Sequence, residues 1–289
     1  MIVELVSIGY GVVSMIGWGC GDFLVKKIVG SLGYYRVLLY TQLMTLPLVL
    51  LLAGLSPPAI PSSFETVTLI IVNGAFSLLT LFFFYKGLIV GKASVVTPVA
   101  STSVILAMGL SFVIFGETLS SAQILSVALV LIGILILSMR SSSDGGSNMG
   151  ILYALATMFC AGLLSIIVKL VSLDIGGVGT LLFNKILIAS VLLVILPFSR
   201  NPLRQDCEQR VSIKTIIATG LTEFLGVAGF ILGVAVGFIS IVAPISSASP
   251  AVTVLLAQIF LRERLVPIQW IAVSLIMLGI VLLSFLSSV

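Results

Sequence analysis

The stretch GLIVGKASVVTPVAS at residues 87–101 returns as GVAVGFISIVAPISS at residues 233–247. The match extends without a gap over residues 74–138 and 220–284 at a constant offset of 146, and 21 of these 65 positions are identical. Upstream the offset is 143, and the identical pairs include Tyr10 and Tyr153, Met15 and Met158, Gly19 and Gly162, and Lys26 and Lys169. The chain is therefore a duplication, with one copy at residues 1–140 and the other at residues 149–289.

The composition is that of a membrane protein. Only 8% of the residues are charged and 60% are hydrophobic, with a mean hydropathy of +1.33, whereas a soluble domain carries about 25% charged residues. A helix needs about 20 apolar residues to cross the hydrocarbon core. Ten segments meet that length: 5–26, 34–54, 66–86, 93–115, 121–139, 149–171, 178–198, 213–236, 240–261 and 267–287. We therefore predict an all-α polytopic membrane protein with ten transmembrane helices.

Each copy holds five of these segments. An odd number of spans makes consecutive copies cross the membrane in opposite directions, so we predict two inverted five-helix repeats. Inverted repeats are a transporter architecture, in which the substrate site lies at the repeat interface near the bilayer midplane. The sequence thus indicates a protein of the lipid bilayer that binds a small molecule between its halves.

Several other classes of function find no support in the sequence. There is no histidine, and the three cysteines are far apart with no CxxC spacing, so neither a metal site nor a cofactor is predicted. The sequence contains no GxxxxGKS/T loop for ATP and no GxSxG motif, so we do not expect an enzyme. The net charge of +4 comes from residues at segment ends, which argues for membrane orientation rather than nucleic-acid binding.

The basic residues also bear on orientation. Ten helices put both termini on one side, and Lys and Arg favour the cytoplasmic side. The side of the termini carries only Lys169. The opposite side carries Lys26, Lys27, Arg36, Lys86, Lys92, Arg140, Arg200, Arg204, Arg210, Lys214, Arg262 and Arg264. Taken alone, this distribution places the termini outside the cell.

Local patterns recur in a fixed order along the chain. The first segment carries Trp18-Gly19 followed by Phe23 and Lys26. Later patterns occur once per copy: Gly91, Ser94, Pro98, Glu117, Gln123 and Gly133, then Gly237, Ser240, Pro244, Glu263, Gln269 and Gly279. Over nearly the whole chain, this order resembles the EamA-type branch of the drug/metabolite transporter superfamily.

The resemblance implies ten helices, no soluble domain and secondary transport of a small metabolite, often the export of amino acids or related solutes. We further predict a multi-pass protein of the cell membrane (plasma or inner), a monomer or homodimer, with protons as a candidate coupling ion. Family members usually place both termini in the cytoplasm, which is the reverse of the charge count, and the orientation stays open. A flippase for a lipid or lipid-linked sugar on the same scaffold is the alternative function.

Three of the ionisable residues inside the predicted spans stand out: Asp22, Lys185 and Glu223. Such groups cost roughly 2.5–3.5 kcal/mol to insert and mark functional sites by default. Their repeat partners are uncharged: Ser165, Gln42 and Ser77. A charge that only supported the fold would be expected in both copies, so the asymmetry favours a role with substrate or ion.

Glu223 is the first candidate for coupling, since it lies near mid-membrane and its burial would allow protonation at physiological pH. It could instead anchor a substrate amine, or form a structural ion pair with Lys185. Lys185 could hold a substrate carboxylate or snorkel to the interface. Asp22 is the second coupling candidate, although its spacing from Lys26 also suits an ion pair along one helix face.

Uncharged residues complete the predicted substrate site. Trp18 is expected as an aromatic wall of the cavity or as lipid-facing packing. Phe183-Asn184-Lys185 matches Tyr40-Thr41-Gln42 in the other copy, so both triplets are expected to face one cavity. Asn73 is expected either to contact the ligand or to join two helices by a hydrogen bond. The predicted substrate-binding set is Trp18, Tyr40, Gln42, Asn73, Lys185 and Glu223.

Two repeated features are interpreted as structural. Glu117 and Glu263 stand at short turns, where a carboxylate can accept hydrogen bonds from the N-terminal amides of the next helix. Pro98 and Pro244, each beside a row of small residues, predict a symmetric pair of bendable helices that act as hinges. Static kinks in close packing would give the same pattern.

Fusion reporters test the helix count. Because ten spans return the chain to its starting side, reporters at the N-terminus and C-terminus are expected on the same side of the membrane. A reporter inserted at the joint between the copies, after five spans, is expected on the opposite side. Termini on opposite sides would contradict the prediction of ten helices.

Overall fold

The structure is a computed structural model that describes residues 2–91, 93–142, 148–195, 212–261 and 267–286. Within these ranges all regular secondary structure is helical, as predicted. The helices are α1 Ile2–Leu32, α2 Tyr34–Leu55, α3 Phe64–Val90, α4 Ala93–Ser101, α5 Ser103–Phe115, α6 Ser121–Ser142, α7 Asn148–Ile195, α8 Ile213–Val236, α9 Ile239–Ser246, α10 Ser249–Leu261 and α11 Pro267–Leu286.

Several of these helices are long and apolar enough to cross a membrane. Six described stretches meet that criterion: α1, α2, α3, α7, α8 and the stretch that combines α9 with α10. Shorter apolar helices cover Val99–Phe115, Ser121–Ile136 and Pro267–Leu283. The protein is therefore an all-helical, multi-pass membrane protein.

Helix α7 contains a break that its length requires. Its 48 residues would form a rod of about 72 Å at 1.5 Å per residue, more than twice the thickness of a bilayer core. Gly176 has φ 73 and ψ 169, which is not helical, and such a positive φ is readily adopted only by glycine. The break divides α7 into two segments close to the sixth and seventh segments predicted from the sequence.

A second kind of break separates α4 from α5 and α9 from α10. Thr102 N donates to Val99 O at 3.2 Å, and its repeat counterpart Ala248 N donates to Ile245 O at 3.1 Å. These bonds span three residues instead of four, as in a tight 3₁₀ turn. Pro98 and Pro244 each stand four residues before the break. The structure thus contains the two paired kinks, and their role as hinges remains a prediction.

The helices pack as two interlocked copies. Helix α1 lies along α8 of the other copy, α3 lies along α7, and α6 pairs with α11. The first part of α7 is the repeat counterpart of α1, and α3 is the repeat counterpart of α8. The contact between α3 and α7 is therefore the repeat counterpart of the contact between α1 and α8. The packing therefore repeats when each copy is replaced by the other.

Glycine contacts show the same exchange at atomic detail. A Cβ on Gly74 would lie 2.3 Å from Leu187 Cδ2, and one on its counterpart Gly220 would lie 2.4 Å from Met44 Cβ. Leu187 and Met44 are themselves repeat counterparts at the offset of 143. A contact that recurs with both partners exchanged is what a two-fold axis between the copies requires.

The corner between α8 and α9 is held by two charged side chains. Lys169 Nζ donates to Val234 O at 2.7 Å and Gly237 O at 2.5 Å, at the C-terminal end of α8. The Glu117 carboxylate accepts from Ile239 N at 3.0 Å and Ser240 N at 2.9 Å, at the start of α9. Each charge thus satisfies backbone groups that a helix end leaves without an intrahelical partner.

Glu117 is a cap, but of a different helix from the one predicted. We expected it to cap the next helix, α6, and it caps α9 in the other copy instead. The reason is that α6 has its own cap: Ser120 N donates to Gln123 Oε1 at 3.0 Å, and Gln123 N donates to Ser120 Oγ at 3.3 Å. This reciprocal pair is a capping box. Glu263, the repeat counterpart of Glu117, lies outside the described residues.

Substitution of glycine tests the close approach of α1 and α8. A Cβ on Gly17 would lie 2.3 Å from Gly226 N, whereas one on Gly9, in the same helix, meets nothing within 4 Å. Gly17→Ala is expected to lower the stability of the purified protein by about 1–3 kcal/mol through overpacking. Gly9→Ala is the matched control, expected to leave the melting temperature unchanged or slightly raised because alanine favours helix. Equal melting temperatures for the two variants would contradict this packing.

Candidate functional site

A cavity of about 200 Å³ lies between the two copies. Its described lining comes from α1, α3, α4, α5, α7, α8, α9 and the start of α10. Helices α6 and α11 contribute nothing to this described lining. Helix α2 also contributes nothing directly, although its Tyr40-Thr41-Gln42 triplet was expected to face the cavity; its polar residues stand behind those that do.

Both copies supply equivalent positions to the cavity wall. The repeat-related pairs include Phe84 and Phe230, Ser101 and Ser247, Ser103 and Ser249, Trp18 and Ala161, Asp22 and Ser165, and Ser77 and Glu223. The first three of these pairs are identical in type. The last three differ, so the indole ring and the two carboxylates have no equivalent at the counterpart positions.

Lys185 forms a buried polar centre on the cavity wall. It is 1% exposed, its Nζ donates to Gln42 Oε1 at 3.1 Å, and it lies 3.8 Å from Glu223 Oε1. A fully buried ammonium does not reach the membrane interface, so the snorkelling interpretation is wrong. Burial of the two charges is offset by their mutual attraction and by the hydrogen bond to Gln42.

The Lys185–Gln42 bond has a special place in the fold. The two residues are repeat counterparts, separated by 143 positions. The bond joins the two copies directly, so the buried polar centre lies at their interface.

A second polar group lies beside the first. Asn184 Nδ2 donates to Asn73 Oδ1 at 2.5 Å and to Ser77 Oγ at 2.7 Å, which ties α7 to α3. Tyr85 is 2% exposed and its side chain is hydrogen-bonded to that of Thr41. Asn184, Ser77 and Tyr85 line the cavity and were absent from the predicted substrate-binding set, although Asn184 belongs to a triplet that was expected to face the cavity. Ser77 could have been found as the counterpart of Glu223.

Asp22 faces the cavity and does not pair with Lys26. Lys26 Nζ donates to Leu88 O at 3.1 Å, at the C-terminal end of α3, just as Lys169 does on α8. Within the described part of the chain, Asp22 forms no hydrogen bond or ion pair. The interpretation of Asp22 and Lys26 as an ion pair is therefore wrong, because the lysine is used to cap a neighbouring helix.

The structure brings together part of the predicted site. Trp18, Lys185, Glu223 and Asp22 line the cavity. Gln42 and Asn73 stand directly behind it, each in a hydrogen bond with a lining residue. Tyr40 is half-buried and is not among the lining residues. Because it precedes Gln42 by two positions, it points to nearly the opposite side of α2.

The sequence also matches a known family along its length. The model of the EamA-like transporter family fits residues 5–139 and again residues 148–285, once for each copy. The chain belongs to the EamA-like transporter family. It is therefore a membrane transporter, as the sequence motifs indicated.

Individual relatives of this EamA-like protein agree with the family assignment. An uncharacterised transporter of Archaeoglobus fulgidus is 24% identical over 251 residues, covering 86% of this chain and 87% of that protein. An uncharacterised protein of Methanocaldococcus jannaschii is 52% identical over 48 residues, 17% of this chain and 35% of that protein. A protein of known crystal structure matches with a TM-score of 0.69 at 17% identity, over 96% of this chain and 97% of that one; it shares the fold.

The chemistry that the cavity offers is polar binding by fixed side chains. Among the described residues, no group of three or more Cys, Asp or Glu side chains could hold a metal ion. The lining is mostly apolar, with two carboxylates, one ammonium, an indole ring and several hydroxyls set into it. Such a lining can hold a small molecule that combines an apolar part with a charged or polar group.

A double-mutant cycle tests the buried ion pair. Glu223→Gln leaves the Lys185 ammonium buried without its counter-charge, and breaking such a pair typically costs about 3–5 kcal/mol. The single variant is expected to melt well below the unmodified protein in detergent. Lys185→Met combined with Glu223→Gln is expected to recover most of the loss. Equal stability of the single and double variants would show that the 3.8 Å contact contributes nothing.

Proposed function

We propose that this EamA-like protein is a secondary active transporter that moves a small metabolite across the cell membrane by alternating access, with export as the expected direction. The observation that carries the proposal is the cavity between the two copies, with repeat-related side chains on both walls. A site at the interface of two repeats is what an alternating-access transporter uses, because movement of one copy against the other exposes it to each side in turn.

The proposed architecture is ten spans in two inverted five-helix repeats. Counting α7 as two segments at Gly176, and counting α4 with α5 and α9 with α10 as single broken spans, gives five segments per copy. An odd number per copy requires opposite orientations in the membrane. The exchange of glycine contacts between the copies supports an axis that relates them.

The two ends of the cavity differ in a way that supports alternation. At one end, all of α9 is buried and half-buried Lys169 bonds two carbonyls. At the repeat-related end, Lys26 is exposed and bonds one carbonyl. We interpret the first end as closed and the second as open. Transport would exchange these arrangements, with the kinks after Pro98 and Pro244 as hinges.

The charged residues receive separate roles in this proposal. Glu223 is the coupling residue, since it lies on the cavity wall and within 3.8 Å of Lys185. Lys185 holds Glu223 and Gln42 at the interface of the copies. Asp22 and Trp18 form the substrate-facing part of the wall. The energy comes from an ion gradient or from the gradient of the substrate itself.

A thermal-shift screen of the purified protein against a library of water-soluble metabolites tests the proposed function. A ligand at 100 times its dissociation constant stabilises the native state by about 2.7 kcal/mol. Hits are then tested for uptake into proteoliposomes, with and without a proton gradient. Stabilisation by lipid headgroup analogues alone, without transport of any water-soluble hit, would favour a flippase.

The role of Glu223 is tested in the variant that carries both Lys185→Met and Glu223→Gln, since this pair avoids an unpaired buried charge. If Glu223 couples protons, the variant should exchange substrate down its own gradient but lose accumulation driven by the proton gradient. Asp174→Asn is the control, because Asp174 bonds Thr66 and is not among the residues that line the cavity. Unchanged proton-driven accumulation in the double variant would exclude Glu223 as the coupling residue.

A further inference from the structure

One of the two carboxylates in the cavity lining has no positively charged side chain paired with it among the described residues. Its lining carries Asp22, Lys185 and Glu223. Lys185 is occupied by Glu223 at 3.8 Å and by Gln42 at 3.1 Å, so its positive charge is already balanced. Asp22 has no hydrogen bond or ion pair in the part of the chain that the structure describes. A cation is the occupant that would balance Asp22.

Aromatic rings stand next to this carboxylate. Trp18 and Asp22 are four residues apart on α1 and so lie on the same helix face. The Trp18 ring lies 5.4 Å from the Phe230 ring, tilted by 37°, and both rings line the cavity. The faces of aromatic rings attract organic cations within about 6 Å of the ring centre.

The surrounding backbone holds the indole ring in place. A Cβ on Gly226 would lie 2.3 Å from Trp18 Cδ1, so only glycine leaves room for the ring at this point of α8. The opposite wall lacks this arrangement, since the counterparts of Trp18 and Asp22 are Ala161 and Ser165. The carboxylate and the rings therefore form a single site on one wall.

Two hydroxyl groups in the lining also lack partners. Thr97 and Ser246 are 5% and 1% exposed, and neither Oγ1 of Thr97 nor Oγ of Ser246 has a hydrogen-bond partner among the described residues. Buried polar groups are nearly always paired. A ligand with a hydroxyl or a similar polar substituent would supply the missing bond.

We propose that the cavity binds an organic ammonium ion, with its charged group between the Asp22 carboxylate and the faces of Trp18 and Phe230. This inference rests on the proposed transport function and names its substrate class. An amine without a carboxylate fits better than a zwitterionic amino acid, because the only ammonium in the described lining is already occupied by Glu223 and Gln42. The small cavity favours compact amines.

Calorimetric titration of the purified full chain tests the proposal with three amines: ethanolamine, choline and benzylamine. Each is compared with a probe of altered charge: ethylene glycol, glycine betaine and benzyl alcohol, respectively. At least one amine is expected to bind about tenfold or more tightly than its comparison probe. Failure of all three amines to bind, or equal binding of each pair, would overturn the proposal.

Variants locate the site. Asp22→Asn keeps the size of the side chain and is expected to weaken amine binding at least about tenfold, whereas Asp174→Asn, the same change at a residue outside the described lining, is expected to leave it unchanged. Each variant is used only if its melting temperature matches that of the unmodified protein; if Asp22→Asn fails this requirement, Trp18→Phe and Trp18→Leu are compared instead, with weaker binding expected for leucine. Amine binding unaffected by these changes would refute the site.

Fluorescence and transport separate the two proposals. Trp270→Phe leaves Trp18 as the one tryptophan of the chain, and its emission is expected to change as the amine binds. Amine binding at Trp18 without transport in proteoliposomes would support the binding site and contradict the proposed function. Transport of an anionic or zwitterionic metabolite that Asp22→Asn does not affect would support the function and overturn the ammonium site.

Discussion

The hydrogen bond between Lys185 Nζ and Gln42 Oε1 joins residues that occupy the same place in the two copies. One member is charged and the other is not, so the point at which the copies meet is symmetric in position and asymmetric in charge. That asymmetry draws in Glu223 from α8 and places an acid on one wall of the cavity. Two further departures from symmetry, Trp18 and Asp22 at the counterparts of Ala161 and Ser165, also line the cavity.

Three other charged side chains form hydrogen bonds with backbone groups at helix ends instead of facing the cavity. Lys169 and Lys26 both donate to carbonyls at the ends of helices, and Glu117 accepts from amides at the start of α9. Helix ends inside a bilayer have no water to satisfy them, so the broken helices of this fold need such side chains. A basic residue counted as a sign of orientation can therefore be a structural cap instead.

The duplication made most of the fold predictable from the sequence. It predicted that a site lies between the two copies, where the helical segments fall, and that the charges of Asp22, Lys185 and Glu223 are present in one copy only. Long-range partners were not predictable: the spacing of Asp22 and Lys26 suggested an ion pair, but a carbonyl of α3 lies closer to the lysine. Tyr40 and Gln42 were grouped by sequence, although two positions on a helix point apart. Tyr85 was missed because only the packing of α3 against its neighbouring helices brings it to the cavity.

The exchange of helices between the copies has a consequence for how the protein is made. Helix α1 ends at Leu32, and the helix that it lies along, α8, begins at Ile213 and ends at Val236. During translation α1 enters the bilayer long before α8 leaves the ribosome. Its close-packing surface, with Gly17 and Gly21, must wait in lipid or against a temporary neighbour. Biogenesis therefore passes through a half-synthesised chain whose first helix still lacks α8, the helix that it lies along.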